Sequence, residues 1–284
     1  SEMCIRDSIY TYRKLLTGQL IAVNTVMLKD TKYAENIVKY DDVEFPVLTN
    51  WRNIGISLSG GADSALLAYL ICSNVPHTTN IHILTNIRMW KTRPWQKDNA
   101  LAVYNWLEVR FPDHRFTMHQ NFIPPDLEWG DKGPTITDEY GKLKSGNQII
   151  LRSHAEYIAF RYGLDAWFAG VNKNPIEDFK GKLDDRDIDP SEDLTPLVRE
   201  HMGVTVCHPF IYTRKDWIIK QYYDHNIRGL LILTRSCEGD KTHYPEVFGD
   251  LDYKTYVPGQ AVPECGKCFW CKERNWAIKQ NDLN

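Results

Sequence analysis

The residues best equipped for chemistry are Ser59-Gly60-Gly61-Ala62-Asp63-Ser64. Two adjacent glycines let backbone N–H groups approach a ligand closely and adopt unusual φ angles. The hydroxyls of Ser59 and Ser64 can donate to phosphate oxygens. Asp63 can steer a loop amide or hold Mg²⁺ through water. Phosphate is the ligand such a loop accommodates. No lysine follows Gly61, which excludes a Walker loop, and the spacing misses the G-x-G-x-x-G dinucleotide fingerprint. The bland alternative is a turn with a serine N-cap.

A second constellation lies near the C-terminus. Of seven cysteines, Cys265, Cys268 and Cys271 fall within one seven-residue stretch, with Gly266 supplying a turn, and Cys237 lies upstream. An odd count with such clustering fits a metal site better than a disulfide framework. Four thiolates form a closed, tetrahedral, structural Zn²⁺ site. An iron–sulfur cluster is the rival occupant. Either would staple the tail to the domain. Cys72 and Cys207 sit in apolar segments and read as core.

The elements that must position these residues follow from periodicity. Ile54 to Leu58 is an apolar strand, and Ala65 to Leu70 begins a helix, so the glycine loop joins strand to helix. Further strands are expected at Ile81–Thr85, Arg115–His119, Ala166–Ala169 and Val204–Cys207, with helices over Trp95–Phe111 and Asn147–Tyr162. Thr213-Arg214-Lys215-Asp216 reads as a capping box opening a helix to Tyr223. This alternation predicts an α/β fold with a doubly wound, parallel, five-stranded sheet. The residues expected to follow one another as units are 1–52, an N-terminal extension; 53–228, the nucleotide domain; and 229–284, the cysteine-bearing segment. Short strands are expected at Leu20–Val23, Thr25–Leu28 and Val43–Leu48. Residues 121–146 read as a long loop, and Asp178 to Asp193 as a solvated acidic run.

The bulk numbers narrow the class. The chain has 284 residues, 43% of them hydrophobic, enough for a large core. Lys+Arg 34 against Asp+Glu 37 leaves a net charge of −3, which argues against a nucleic-acid partner. No apolar run spans a bilayer and no secretory pattern is present, so a cytoplasmic protein without a membrane partner is expected.

S-G-G-x-D-S between strand and helix resembles the PP-loop ATP pyrophosphatases, which share the HUP, or adenine nucleotide alpha-hydrolase-like, fold. Within them, Thr234-x-Ser236-Cys237, Cys265-Gly266-x-Cys268-x-x-Cys271 and Arg274 resemble the QueC family of 7-cyano-7-deazaguanine synthases. His208-Pro209, Thr213-Arg214-Lys215, Gly170-Val171-Asn172 and the helix from Asn147 add weaker similarities. The resemblance implies an ATP-dependent ligase. It adenylates the carboxylate of 7-carboxy-7-deazaguanine, releases pyrophosphate, and lets ammonia attack to give the amide and then the nitrile preQ0. It implies ATP and Mg²⁺ at Ser59, Gly60, Gly61, Asp63 and Ser64, and Zn²⁺ at Cys237, Cys265, Cys268 and Cys271. Asp63, Ser64 and Lys173 are the catalytic candidates, and Asn147, Asn172, Asp184 and Arg186 the substrate-binding ones. A homodimer is the expected assembly.

The chain departs from that pattern. Gly146 stands where the family has Arg, and Asp184-Asp185-Arg186 is a displaced remnant of its Pro-Asp-Cys-Arg. Twenty-seven residues, with Tyr244, Tyr253 and Tyr256, separate Cys237 from Cys265 where the family has a short link. Two other readings therefore stand beside the metabolic one. One is a QueC-like component of antiviral defence that joins a deazaguanine to an amine of a partner protein. The other is a tRNA-thiolating or lysidine-type enzyme, in which Lys267, Lys272, Arg274 and Lys279 would face phosphates; otherwise they form a solvated face. Trp90, Trp95 and Trp129 flank loops where a purine-like ring could stack, although tryptophan is more often core.

Overall fold

The computed structural model describes residue 33 and residues 36–88, 94–123, 135–137, 143–173 and 197–281, with backbone alone for 135–137 and 143–151. The expected strands before Tyr33, the acidic run, Asp184, Arg186, Trp90 and Trp129 lie outside the described residues.

Strands β1 (Ile37–Tyr40) and β2 (Val43–Pro46) form an antiparallel hairpin. Then follow β3 (Asn53–Ser57), α1 (Ala62–Cys72), β4 (Asn80–Arg88), α2 (Gln96–Arg110) and β5 (Arg115–Ile123). A short antiparallel pair, β6 (Thr135–Thr137) and β7 (Leu143–Ser145), precedes α3 (Gly146–Tyr162). The chain continues with β8 (Ala166–Phe168), β9 (Val198–His201) and β10 (Val204–Cys207). It ends in α4 (Lys215–Asp224), α5 (Arg228–Leu233), α6 (Pro245–Phe248) and α7 (Phe269–Gln280).

The main sheet runs β5-β4-β3-β8-β10-β9. The first five strands are parallel, as expected, and β9 adds a sixth, antiparallel to β10. The sequence Val-Arg-Glu-His of β9 lacks apolar alternation because this edge strand is largely half-buried, so periodicity did not reveal it. Strand β5 extends beyond the five residues expected, taking the start of the anticipated loop at Asn121 into the sheet.

Side-chain alternation explains the two layers. Ile54, Ile56, Ile81, Ile83, Ala166, Phe168 and Cys207 point to one face and join α1, α2 and α4 in the principal core. Leu84, Trp167, Val204 and Val206 point to the other and pack on Ala155, Ile158 and Ala159 of α3. Helix α1 is buried nearly all round, which matches its sequence Ala-Leu-Leu-Ala-Tyr-Leu-Ile-Cys. Its Leu66, Leu67, Leu70 and Ile71 are fully buried, each contributing roughly 1.5–3 kcal/mol.

The β1–β2 hairpin packs on this same core through Val43 and the fully buried Phe45. Its turn residue Asp41 accepts hydrogen bonds from Trp217 Nε1 (3.0 Å) and Gln221 Nε2 (3.3 Å) of α4. The C-terminal segment also enters the core, through Leu230, Leu231 and Ala277. Among the described residues, no helix is long and apolar enough to cross a membrane.

Candidate functional site

Strand β3 is followed in the sheet by β4 on one side and β8 on the other. The connections leave in opposite directions there, and open α/β sheets bind ligands at such a switch point. The glycine loop lies at that place. Gly60 has φ 78°, and a Cβ on it would meet Ala100 N and Asn99 Cβ at 2.8 Å, so only glycine fits beneath α2. Gly170, after β8, abuts the loop so closely that a Cβ would lie 3.1 Å from Ser64 N.

Gly61 departs from the expected unusual φ. At φ −84° it is the N-cap of α1, and no side chain caps the helix. A serine-capped turn is thereby excluded, and the first amides of α1 carry the positive end of its dipole into the cleft. Ser59 Oγ and Ser64 Oγ are 3.0 Å apart, Ser64 Oγ donates to Gly61 O (3.1 Å), and Ser59 N donates to Ser64 Oγ (3.1 Å). The serines thus shape the loop internally.

Asp63 Oδ2 accepts from Lys215 Nζ at 2.5 Å, across 152 residues of sequence. Lys215 is 1% exposed. The expected capping box does not form: Arg214 is the N-cap of α4, it makes no side-chain cap bond, and Asp216 pairs with Arg214 instead. Lys215 therefore turns inward to the carboxylate rather than outward on a helix surface.

A cleft opens here, lined by Ser59, Gly61, Asp63, Gln96, Arg235 and Ser236 among others. Four residues that line it each carry a buried polar atom with no protein partner: Asp63 Oδ1, Gln96 Oε1, Arg235 Nε and Ser236 Oγ. Unpaired buried polar atoms are costly and rare, and their convergence in one cleft marks a place completed by a polar ligand. Of these residues, Gln96 has no sequence signal, and Arg235 stands at the unspecified position of Thr234-x-Ser236-Cys237. Lys215 and Ser236 lie inside Thr213-Arg214-Lys215 and Thr234-x-Ser236-Cys237, motifs that by themselves give neither residue a role.

Lys173 is exposed and its backbone N–H donates to Thr213 O (2.9 Å). Asn172 is buried, and its Nδ2 donates to Glu273 Oε1 of α7 at 3.2 Å. Asn147 lies in the first turn of α3, where only the backbone is described.

The four cysteines converge. Their sulfurs lie within 4.8 Å of one another, with 3.5 Å between Cys237 and Cys265 and 3.9 Å between Cys265 and Cys271. Four thiolates around one zinc ion at about 2.3 Å stand about 3.8 Å apart, so the spacing fits a single tetrahedral ion. A multi-iron cluster spreads its thiolates more widely. Hydrogen bonds from Cys268 and Cys271, with the Arg235 charge nearby, hold the Cys237 thiol far below its ordinary value. Cys265 N–H and Cys268 N–H donate to Cys237 Sγ (3.3 Å) and Cys265 Sγ (3.2 Å), orienting the sulfurs. Cys72 and Cys207 are buried and their thiols pushed well up by burial, as core residues should be.

The 27 residues between Cys237 and Cys265 fold back onto this site. Phe248 stacks on Trp95 at 6.1 Å, Tyr256 hydroxyl donates to Asp98 of α2, and Tyr244, Leu251 and Val262 pack around the cysteines. Trp95, 3% exposed, is thus a core residue. Arg274 departs from the solvated face expected for the basic tail: it donates to Thr234 O (3.0 Å) and Leu231 O (3.2 Å), closing the C-terminus of α5.

No protein-family model matches the chain, and no curated protein matches it. Among solved structures it is similar to the U34-tRNA thiolase NcsA from Methanococcus maripaludis with its 4Fe-4S cluster. The two are 15% identical, with 92% of this chain and 87% of that one covered and a TM-score of 0.42.

Proposed function

We propose that the chain is a PP-loop-type, ATP-dependent enzyme that activates a carboxylate as its adenylate and releases pyrophosphate. The observation that carries this reading is the glycine loop at the sheet's switch point, beside a cleft whose lining residues carry four buried, unpartnered polar atoms. The α1 amides and Lys215 supply positive potential where charge grows on departing pyrophosphate. Asp63 Oδ1 remains free to hold hydrated Mg²⁺, since Lys215 engages only Oδ2. A substrate carboxylate oxygen attacks the α-phosphorus, the bond to the β-phosphate bridging oxygen breaks, and an amine then displaces AMP.

The substrate we assign is 7-carboxy-7-deazaguanine or a near relative, with ammonia as the amine. Support comes from Thr234-x-Ser236-Cys237, whose serine lies in the cleft, and from the cysteine array beside it. Zn²⁺ is the proposed occupant of the cysteines, and its part is structural: it ties Cys237 to the segment before α7.

The test is a reaction with ATP and the deazaguanine acid, with and without ammonium, followed by mass spectrometry. Formation of AMP and pyrophosphate dependent on the acid, with amide or nitrile dependent on ammonium, is expected. Absence of AMP with every carboxylate supplied overturns the adenylation reading.

A further inference from the structure

Arg235 occupies the unspecified position of Thr234-x-Ser236-Cys237. Its backbone N–H donates to Gly60 O at 2.9 Å, so it is tied directly to the glycine loop. Its side chain reaches the other way. Nη1 donates to Val262 O (2.7 Å), Nη2 donates to Pro263 O (2.6 Å), and the guanidinium lies over Trp95, 5.8 Å from the ring centroid. Both terminal nitrogens are thus committed to the chain that enters Cys265. Nε is buried and unpartnered on a residue that lines the cleft, and Oγ of the adjacent cleft-lining Ser236 is unpartnered as well. A charged N–H held from water without an acceptor is unfavourable, and an anionic oxygen relieves it.

We infer that Arg235 binds a phosphate oxyanion of the nucleotide through Nε, and that the cysteine-bearing segment aims it. This rests on the ATP reading above and goes beyond it by making the metal and nucleotide sites mutually dependent. An ion joining Cys237 to Cys265 fixes the residues flanking both ends of the Arg235–carbonyl contacts. Lysine cannot replace the guanidinium, because a single ammonium does not hold two carbonyls and present a third, fixed donor. Coupling between two binding sites is reciprocal, so pyrophosphate must tighten metal binding as much as metal tightens pyrophosphate binding.

The experiment uses the full chain loaded with zinc. Pyrophosphate affinity is measured by calorimetry for the wild type, Arg235→Lys and Arg235→Met, with zinc content determined for each. Both variants are expected to bind pyrophosphate about tenfold or more weakly while retaining zinc. On the wild type, chelator competition should show zinc held more tightly with pyrophosphate present, by a factor of roughly 5–150. Equal pyrophosphate affinity in all three proteins overturns the inference and leaves the ATP reading standing. Failure of the wild type to bind pyrophosphate or ATP overturns both. Should the variants not fold, the wild-type competition decides, and unchanged zinc retention sinks the inference.

Discussion

The pairing of Asp63 with Lys215 changes what a substitution at Asp63 reports. Asp63→Ala would leave the buried Lys215 ammonium uncompensated, at a cost of about 3–5 kcal/mol. Asp63→Asn retains an oxygen toward Lys215 while losing the charge that can hold Mg²⁺. It is expected to lower AMP formation at least about a hundredfold with a smaller stability loss. Urea unfolding beside an AMP assay separates the two effects. Equal activity of Asp63→Asn and wild type would refute the assignment of Asp63. The sequence made Asp63 legible through its motif, but Lys215 stayed hidden. A lysine in Thr-Arg-Lys-Asp looks like a helix start, and only the packing of α4 against α1 turns it inward.

At the scale of elements, β4, β5 and α3 enclose three histidines. His82 Nδ1 and His119 Nε2 are 2.9 Å apart, with Tyr162 close to both. Burial, then the His119 charge, pushes His82 from 6.5 down to about 4, and burial lowers His119 and His154 as well. The folded value lies below the unfolded one. Above pH 6.5 both states are neutral at His82 and its contribution is intact; between pH 6.5 and 4 the unfolded chain takes up a proton that the folded chain refuses. Stability should therefore fall across that window, by on the order of 3 kcal/mol for His82, and level off below it. Melting temperatures from pH 7 to pH 4 check this, and His82→Gln should flatten the slope. The cysteine segment gives a second expectation. Chelation, or Cys268→Ser, should release one metal ion per chain and expose residues 238–264 to protease, because Phe248, Tyr256 and Val262 pack around the cysteines. Metal analysis that finds several irons per chain would exclude the zinc assignment. No spacing rule in the sequence says that the segment between Cys237 and Cys265 docks on α2; the Tyr256–Asp98 contact across 158 residues does.

For the whole molecule, the hairpin and the C-terminal segment share one core with the sheet. Phe45→Ala should therefore destabilise the entire fold by about 3–5 kcal/mol in a single transition. A separate, low-temperature transition in calorimetry would show instead that the hairpin melts alone. Such cooperation was not legible beforehand. The strand-like run Val43–Leu48 carries no mark of what it packs against, and sequence patterning anticipates neither the partner strand Ile37–Tyr40 nor the helices that bring Leu230 and Ala277 into the core.

The sequence by itself determined the glycine loop between strand and helix, the strand–helix alternation and the grouping of thiols. These are local features, set by neighbouring residues, by side-chain periodicity and by short spacing. The tertiary structure decided which distant groups meet: Lys215 on Asp63, Arg235 between Gly60 and the chain before Cys265, and Asn172 on Glu273. Each of these contacts joins segments that only sheet order and helix packing bring together, and no local pattern encodes that distance.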